Sequence, residues 1–138
     1  LWLEVGHRLP FHGSSSGHAM LAALTEDGFA QAVREADGDR GLTPAQANAD
    51  RQSAHNQIMT LGYVITDPES YFAANIHAVA VPFLARELGE PVIFTCGAMP
   101  EALPVVRMQG EVGPKLLRCV RDLERMMGHG GGFGSQDL

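Results

Sequence analysis

Residues 9–19 read LPFHGSSSGHA, and inside them Gly13-Ser14-Ser15-Ser16-Gly17 matches G-x-S-x-G. That pattern has two readings, and each belongs to a different fold. In a hydrolase it is a nucleophile elbow: a strand runs straight into the first glycine, a helix leaves the second, and the middle serine is held at a strained turn. In a binding domain the serines simply cap a helix whose first backbone N–H groups lack intrahelical partners. Pro10 stands five residues before Ser15 and makes a continuous strand into the turn awkward. The elbow also needs an acid and then a histidine further along the chain. His55 falls in the middle of a helical pattern, His77 in an apolar strand pattern, and His129 in a glycine tail. Hydrolases of this type usually need more than roughly 200 residues in one domain, whereas this chain has 138. The capping reading is therefore preferred. A serine hydrolase with Ser15 as nucleophile, and a dimerisation domain without a ligand, stand as alternatives.

Outward from the serines, Ala19, Met20, Ala23 and Leu24 recur at helical spacing, so a helix starts near Ser16. Thr25 before Glu26-Asp27 predicts the cap of a second short helix with Phe29, Val33 and Ala36 inward. Gly38-Asp39-Arg40-Gly41 is a turn. Thr43-Pro44 then opens a longer helix that runs to about Leu61 and stops at Gly62. After that the period changes to strands: residues 63–66, 76–83 (IHAVAVPF) and 91–96 (PVIFTC), the last two forming an antiparallel hairpin through a loop with Gly89. Residues 1–5 read as a short strand ended by Gly6, and residues 100–103 as a helical turn. Val112, Leu116, Cys119, Val120, Leu123 and Met127 mark a closing amphipathic helix, and residues 129–138 a flexible glycine-rich tail. This order predicts an α+β domain over residues 1–128, with helices on one side of a mainly antiparallel sheet.

Composition narrows the function. Lys and Arg number 10 against 16 acids, the formal net charge is −6, and Lys115 is the only lysine. Nucleic-acid binding draws on clustered cations, and these residues offer no such cluster. The 2 cysteines, Cys96 and Cys119, form no metal or C-x-x-C spacing and read as small buried hydrophobes of a reducing, cytoplasmic setting. No run of apolar residues is long enough to cross a membrane. His7, His12 and His18 are candidate metal ligands, but no neighbouring acid joins them, so neither a metal nor any other cofactor is expected.

Several short motifs follow one another in a familiar order. Residues 9–19 follow a pattern like L-P-x-H-A-[ST]-x-x-G-K-A; residues 59–69, MTLGYVITDPE, are similar to R-x-x-G-Y-x-x-D-x-x-E. Residues 78–83, AVAVPF, follow C-[IL]-A-A-P-[VI], residues 94–98, FTCGA, look like S-x-S-G-P, and a closing helix ends in Gly128. Together they resemble the effector-binding domain of IclR-type bacterial transcriptional regulators. The resemblance implies a GAF/profilin-like α+β fold that binds a small organic or aromatic acid, works as a homodimer or homotetramer, and is not an enzyme. It implies that a winged helix-turn-helix domain outside this chain binds promoter DNA. The implied ligand-binding residues are Ser14, Ser15, Ser16, Gly17, Asp67, Ile76, Ala78, Phe94 and Cys96. His18 replaces the family's lysine, Ala78 its cysteine, Phe94 and Cys96 two serines, and Asn75 a glycine, with about two residues inserted near residues 72–74. These replacements predict a more apolar, more aromatic pocket.

Overall fold

The computed structural model describes residues 4–36, 42–65, 76–84 and 86–128. Asp67, the turn at Gly38, the insertion near residues 72–74 and the glycine tail lie outside the described residues.

Three helices open the chain: α1 (Ser15–Ala23), α2 (Glu26–Glu35) and α3 (Pro44–Leu61). Each begins where a hydroxyl takes an orphan amide. Ser14, Thr25 and Thr43 accept from the N–H groups of Gly17, Gly28 and Gln46, and Pro44 occupies the first turn of α3. Helix α3 ends at Gly62, whose φ of +91° is left-handed, and a Cβ there would collide with Leu117 at 2.5 Å. Arg51 of α3 locks the α1–α2 joint. Its guanidinium donates to the Leu24 carbonyl, pairs with Glu26 and lies 4.4 Å over the Phe29 ring.

Strands β1 (Val64–Ile65), β2 (His77–Phe83) and β3 (Val92–Ala98) form an antiparallel sheet in that order, with Val64 opposite Ala80 and Val81 opposite Phe94. A short 3-10 turn, Arg86–Leu88, lies in the hairpin connection. Beyond β3 the chain turns at Met99, whose carbonyl accepts from Ala102 and Leu103. It then winds through α4 (Val105–Arg107), a π-helical segment Met108–Val112, and α5 (Gly113–Met126). The closing helix thus has irregular turns ahead of the periodic stretch that the apolar pattern marks. Tyr63 fixes them by donating its hydroxyl to the Gln109 carbonyl, 3.0 Å away.

The sheet is covered on both faces, which corrects the expectation of helices on one side. Val79, Val81 and Phe83 of β2 pack with Val120, Leu116 and Leu123 of α5. Ala80, Val64 and Ile93 face the other way onto Ala19, Ala22, Ala54 and Ile58 of α1 and α3. Alternation along β2 explains this: its buried residues are apolar on both faces, as in any sheet sandwiched between two layers. A third cluster of Leu21, Phe29, Leu42 and Ala47 seats α2 against α1 and α3. Fully burying one valine such as Val79 or Val81 contributes about 1.5–3 kcal/mol.

Two further expectations change. Cys96 and Cys119 are both exposed rather than buried. Cys119 falls on the solvent side of α5, and Cys96 points to the α5 face beyond the helix's cover. At the start of the described chain, Glu4–His7 is a turn closed by the His7 N–H on the Glu4 carbonyl at 3.1 Å, so no strand reaches Gly6.

Candidate functional site

The three serines take three different positions. Ser14 is spent on structure: its hydroxyl accepts from Gly17 N–H at 2.9 Å and donates to the Pro10 carbonyl at 2.7 Å. Ser15 is completely buried, and its Oγ has no hydrogen-bond partner. Ser16 faces the sheet, where its Oγ lies 2.6 Å from Thr95 Oγ1 of β3. Gly17 serves packing, because a Cβ would sit 2.5 Å from the carbonyl oxygens of both Pro10 and Phe11. The amides of Ser15 and Ser16 are the first two of α1 and have no intrahelical acceptor. With the positive end of the helix dipole they suit a small anion.

Strand register decides which other residues can join them. Residues 78 and 97 are paired, as are 80 and 95, so Ala78, Ala80, Thr95 and Gly97 share the α1 face with Ser16. Ile76 belongs there too: a Cβ on Gly97 would meet Ala78 Cβ at 3.5 Å and Ile76 Cγ2 at 3.8 Å. Phe94 and Cys96 lie opposite Val81 and Val79 on the other face, and Phe94 stacks edge-on against Phe83 with ring centroids 5.8 Å apart. The expected single wall of Ile76, Ala78, Phe94 and Cys96 is therefore split by the sheet. Thr95 and Gly97 stand in the places that sequence reading gave to Phe94 and Cys96. A shift of one residue along a strand exchanges its faces.

Among the described residues, no histidine partners Ser15. A general base must come within about 3 Å of the hydroxyl it activates, yet Ser15 Oγ is unpartnered. His77 points to the α5 face, where its Nδ1 lies 2.8 Å from the Leu103 carbonyl oxygen.

A second polar group lies on the far side of the same helix start. Ser16 and His18 are two residues apart, about 200° around an α-helix, so His18 turns from the sheet toward α3. There Asp50 is buried on an inward stripe with Ala47, Ala54 and Ile58. Asp50 Oδ2 lies 2.8 Å from His12 Nδ1 and 3.4 Å from His18 Nε2. Its Oδ1 accepts from Gln46 Nε2 at 2.9 Å, and the Gly13 N–H donates to His18 Nε2 at 3.3 Å. Burial lowers the His18 pKa below the usual 6.5; the Asp50 carboxylate opposes that shift and His12 adds to it. Sequence reading had His12 and His18 but missed Asp50, the acid that joins them.

Hollows open elsewhere on the surface. One of about 880 Å³ lies past the other end of α1, lined by Leu24, Asn48, Arg51, Gln52, His55 and Pro91 among others. Another, of about 510 Å³, lies between residues 8–11 and the end of α2.

This arrangement of helices on a β1-β2-β3 sheet recurs in solved structures. An IclR-family transcriptional regulator from Brucella abortus matches with a TM-score of 0.75 at 24% identity, over 91% of this chain and 47% of that one. The chain has the IclR-regulator fold. HmgR of Pseudomonas aeruginosa shares it with a TM-score of 0.68 at 24% identity, over 94% of this chain and 49% of its own. So does a double mutant of the inducer-binding domain of the PobR transcription factor from Acinetobacter, solved as a 3-hydroxybenzoic acid complex. There the TM-score is 0.63 at 19% identity, over 89% of this chain and 70% of that one. The chain thus spans about half the length of the first two IclR-fold proteins. No protein-family profile and no curated protein matches it by sequence. Among the described residues, no helix is long and apolar enough to cross a membrane.

Proposed function

We propose that this chain is the effector-binding part of an IclR-type bacterial transcriptional regulator, not an enzyme, and that it senses a small organic or aromatic acid. The observation that carries the reading is the buried, unpartnered Ser15 hydroxyl at the start of α1, beside a helix-to-sheet bridge from Ser16 to Thr95. A buried hydroxyl without a partner costs about 1–3 kcal/mol, and an acid that accepts from it removes that cost on binding. The Ser15 and Ser16 amides receive the carboxylate, and Ile76, Ala78, Thr95 and Gly97 form the wall on the sheet side. Asp67 takes a ligand hydroxyl. That the double mutant of PobR's inducer-binding domain shares the fold and forms a complex with 3-hydroxybenzoic acid supports an aromatic acid as the first probe.

The rest of the reading rests on the resemblance to IclR-type regulators. With a net charge of −6 this chain is poorly suited to nucleic acid, and the resemblance implies a separate winged helix-turn-helix domain that contacts promoter DNA, in a cytoplasmic homodimer or homotetramer. The acid acts through its unequal affinity for two arrangements of the domain.

The test is a thermal-shift screen of aliphatic and aromatic acids, starting with 3-hydroxybenzoate and run with a chelator present. An acid at 100 times its Kd stabilises the fold by about 2.7 kcal/mol, or several degrees. Ser16→Ala and Thr95→Val should shrink the shift. If no acid raises the melting temperature, or if both variants respond like the parent, the reading fails.

A further inference from the structure

The described residues hold one group of three metal-ligating side chains: His12, His18 and Asp50, whose donor atoms all lie within 4.8 Å of one another. We infer that these three residues form a binding site for a divalent metal ion of the zinc type, on the α3 side of α1 and apart from the acid-binding serines.

Three features carry the inference. The first is the donor set. Two imidazoles and one carboxylate suit zinc, cobalt or nickel rather than magnesium or calcium, which take oxygen ligands. The second is spacing. Ligands at about 2.0–2.1 Å around a tetrahedral ion lie roughly 3.4 Å apart, and Asp50 Oδ2 lies 2.8 Å and 3.4 Å from the two imidazole nitrogens. Movements of an ångström or less bring all three onto one ion. The third is orientation. Gln46 holds the other carboxylate oxygen at 2.9 Å, so that Oδ2 is turned toward the histidines. Ligating carboxylates are commonly steadied by an outer partner of this kind.

Protonation is also in order. His18 Nε2 accepts from the Gly13 N–H and so already presents a lone pair, which the metal takes over from a weak 3.3 Å bond. His12, 40% exposed, donates from Nδ1 to Asp50 Oδ2 at 2.8 Å, and the ion takes the place of that proton, which passes to Nε2. The buried Asp50 supplies negative charge in a place where a carboxylate between alanines is otherwise costly. Three protein ligands leave the fourth position to water or another small donor, on the His12 side where the site is open. Bound there, the ion staples the loop before α1 to the middle of α3, across 38 positions of sequence.

The experiment titrates the metal-free chain with zinc against a chromophoric chelator and, separately, with cobalt(II) while recording its visible spectrum. A single zinc ion should bind per chain and raise the melting temperature; cobalt should give the intense absorption of a four-coordinate site with nitrogen ligands, and excess magnesium should not compete. His12→Gln changes only a partly exposed side chain and should weaken zinc binding by at least about tenfold while the circular dichroism stays that of the parent. His18→Gln should do the same. Zinc affinity equal in the parent and in the His12→Gln/His18→Gln double variant would overturn the site. So would a cobalt spectrum that stays that of the aqueous ion. Neither outcome touches the acid-binding proposal, which is tested with chelator present.

Discussion

Replacing Gly17 with alanine tests how the start of α1 is held. In an ordinary helix this change stabilises by about 0.8–1.0 kcal/mol, because glycine is the poorer helix former. Here the new methyl would lie 2.5 Å from the carbonyl oxygens of Pro10 and Phe11 and 2.6 Å from the Phe11 Cα, where ordinary contact begins at 3.4 Å. The obstacles are backbone atoms, which cannot rotate aside as a side chain does. Residues 10–11 must retreat by most of an ångström, and the Ser14 hydroxyl bond to Pro10 goes with them. Overpacking of this kind costs about 1–3 kcal/mol, toward the upper end against backbone, and losing the hydroxyl bond costs about 1 kcal/mol. Set against the propensity gain, the net loss is about 3 kcal/mol, or roughly 10 °C in melting temperature for a domain of this size. Urea and thermal unfolding followed by circular dichroism measure it. Gly110→Ala is the internal control: a Cβ there meets nothing within 4 Å and the position has no left-handed backbone, so it should be neutral or slightly stabilising. A Gly17→Ala protein as stable as the parent would refute the close approach on which the loop's position depends.

Other outcomes follow from the same geometry. Burial lowers the His18 pKa, so the unfolded chain binds more protons than the folded one near and below pH 6.5. Stability is full above that value and is lost as pH falls toward the folded pKa. Urea midpoints taken in chelator should therefore drop between pH 7.5 and 5 more steeply for the parent than for His18→Gln; equal slopes would contradict it. Tyr63→Phe removes the hydroxyl that donates to Gln109 and should cost about 0.5–1.5 kcal/mol. Its loss should be concentrated in hydrogen exchange of residues 108–112.

Much of this was legible in the sequence because it is local. Thr25 and Thr43 each cap the helix they were expected to cap, Gly62 ends α3, and of the three serines expected at the start of α1 it is Ser14 that caps it. Alternation put Phe94 with Cys96, and Ile76 with Ala78, on common faces. It could not say whether the two pairs share a face, since that depends on how the hairpin aligns the strands. One residue more or less in the connection would reverse the answer. The missing acid had a signal of another kind. Ala47, Asp50, Ala54 and Ile58 recur at intervals of three and four, so Asp50 occupies an inward position where an apolar residue is the default. What no local pattern carries is its meeting with His12, since nothing between the two encodes their approach. The exposure of Cys96 and Cys119 has a similar reason: a small residue is core only where something covers it, and Cys96 lies beyond the cover of α5 while Cys119 is on that helix's solvent side.

The contact between α1, α3 and β2 is made largely of alanine: Ala19, Ala22, Ala54 and Ala80. Methyl groups have no rotamers to change, so such a seam has no soft layer that could absorb a push. A displacement of the first helix by a guest at its tip would be handed on whole to the central strand and the long helix. The seam thus behaves as a gear rather than a cushion.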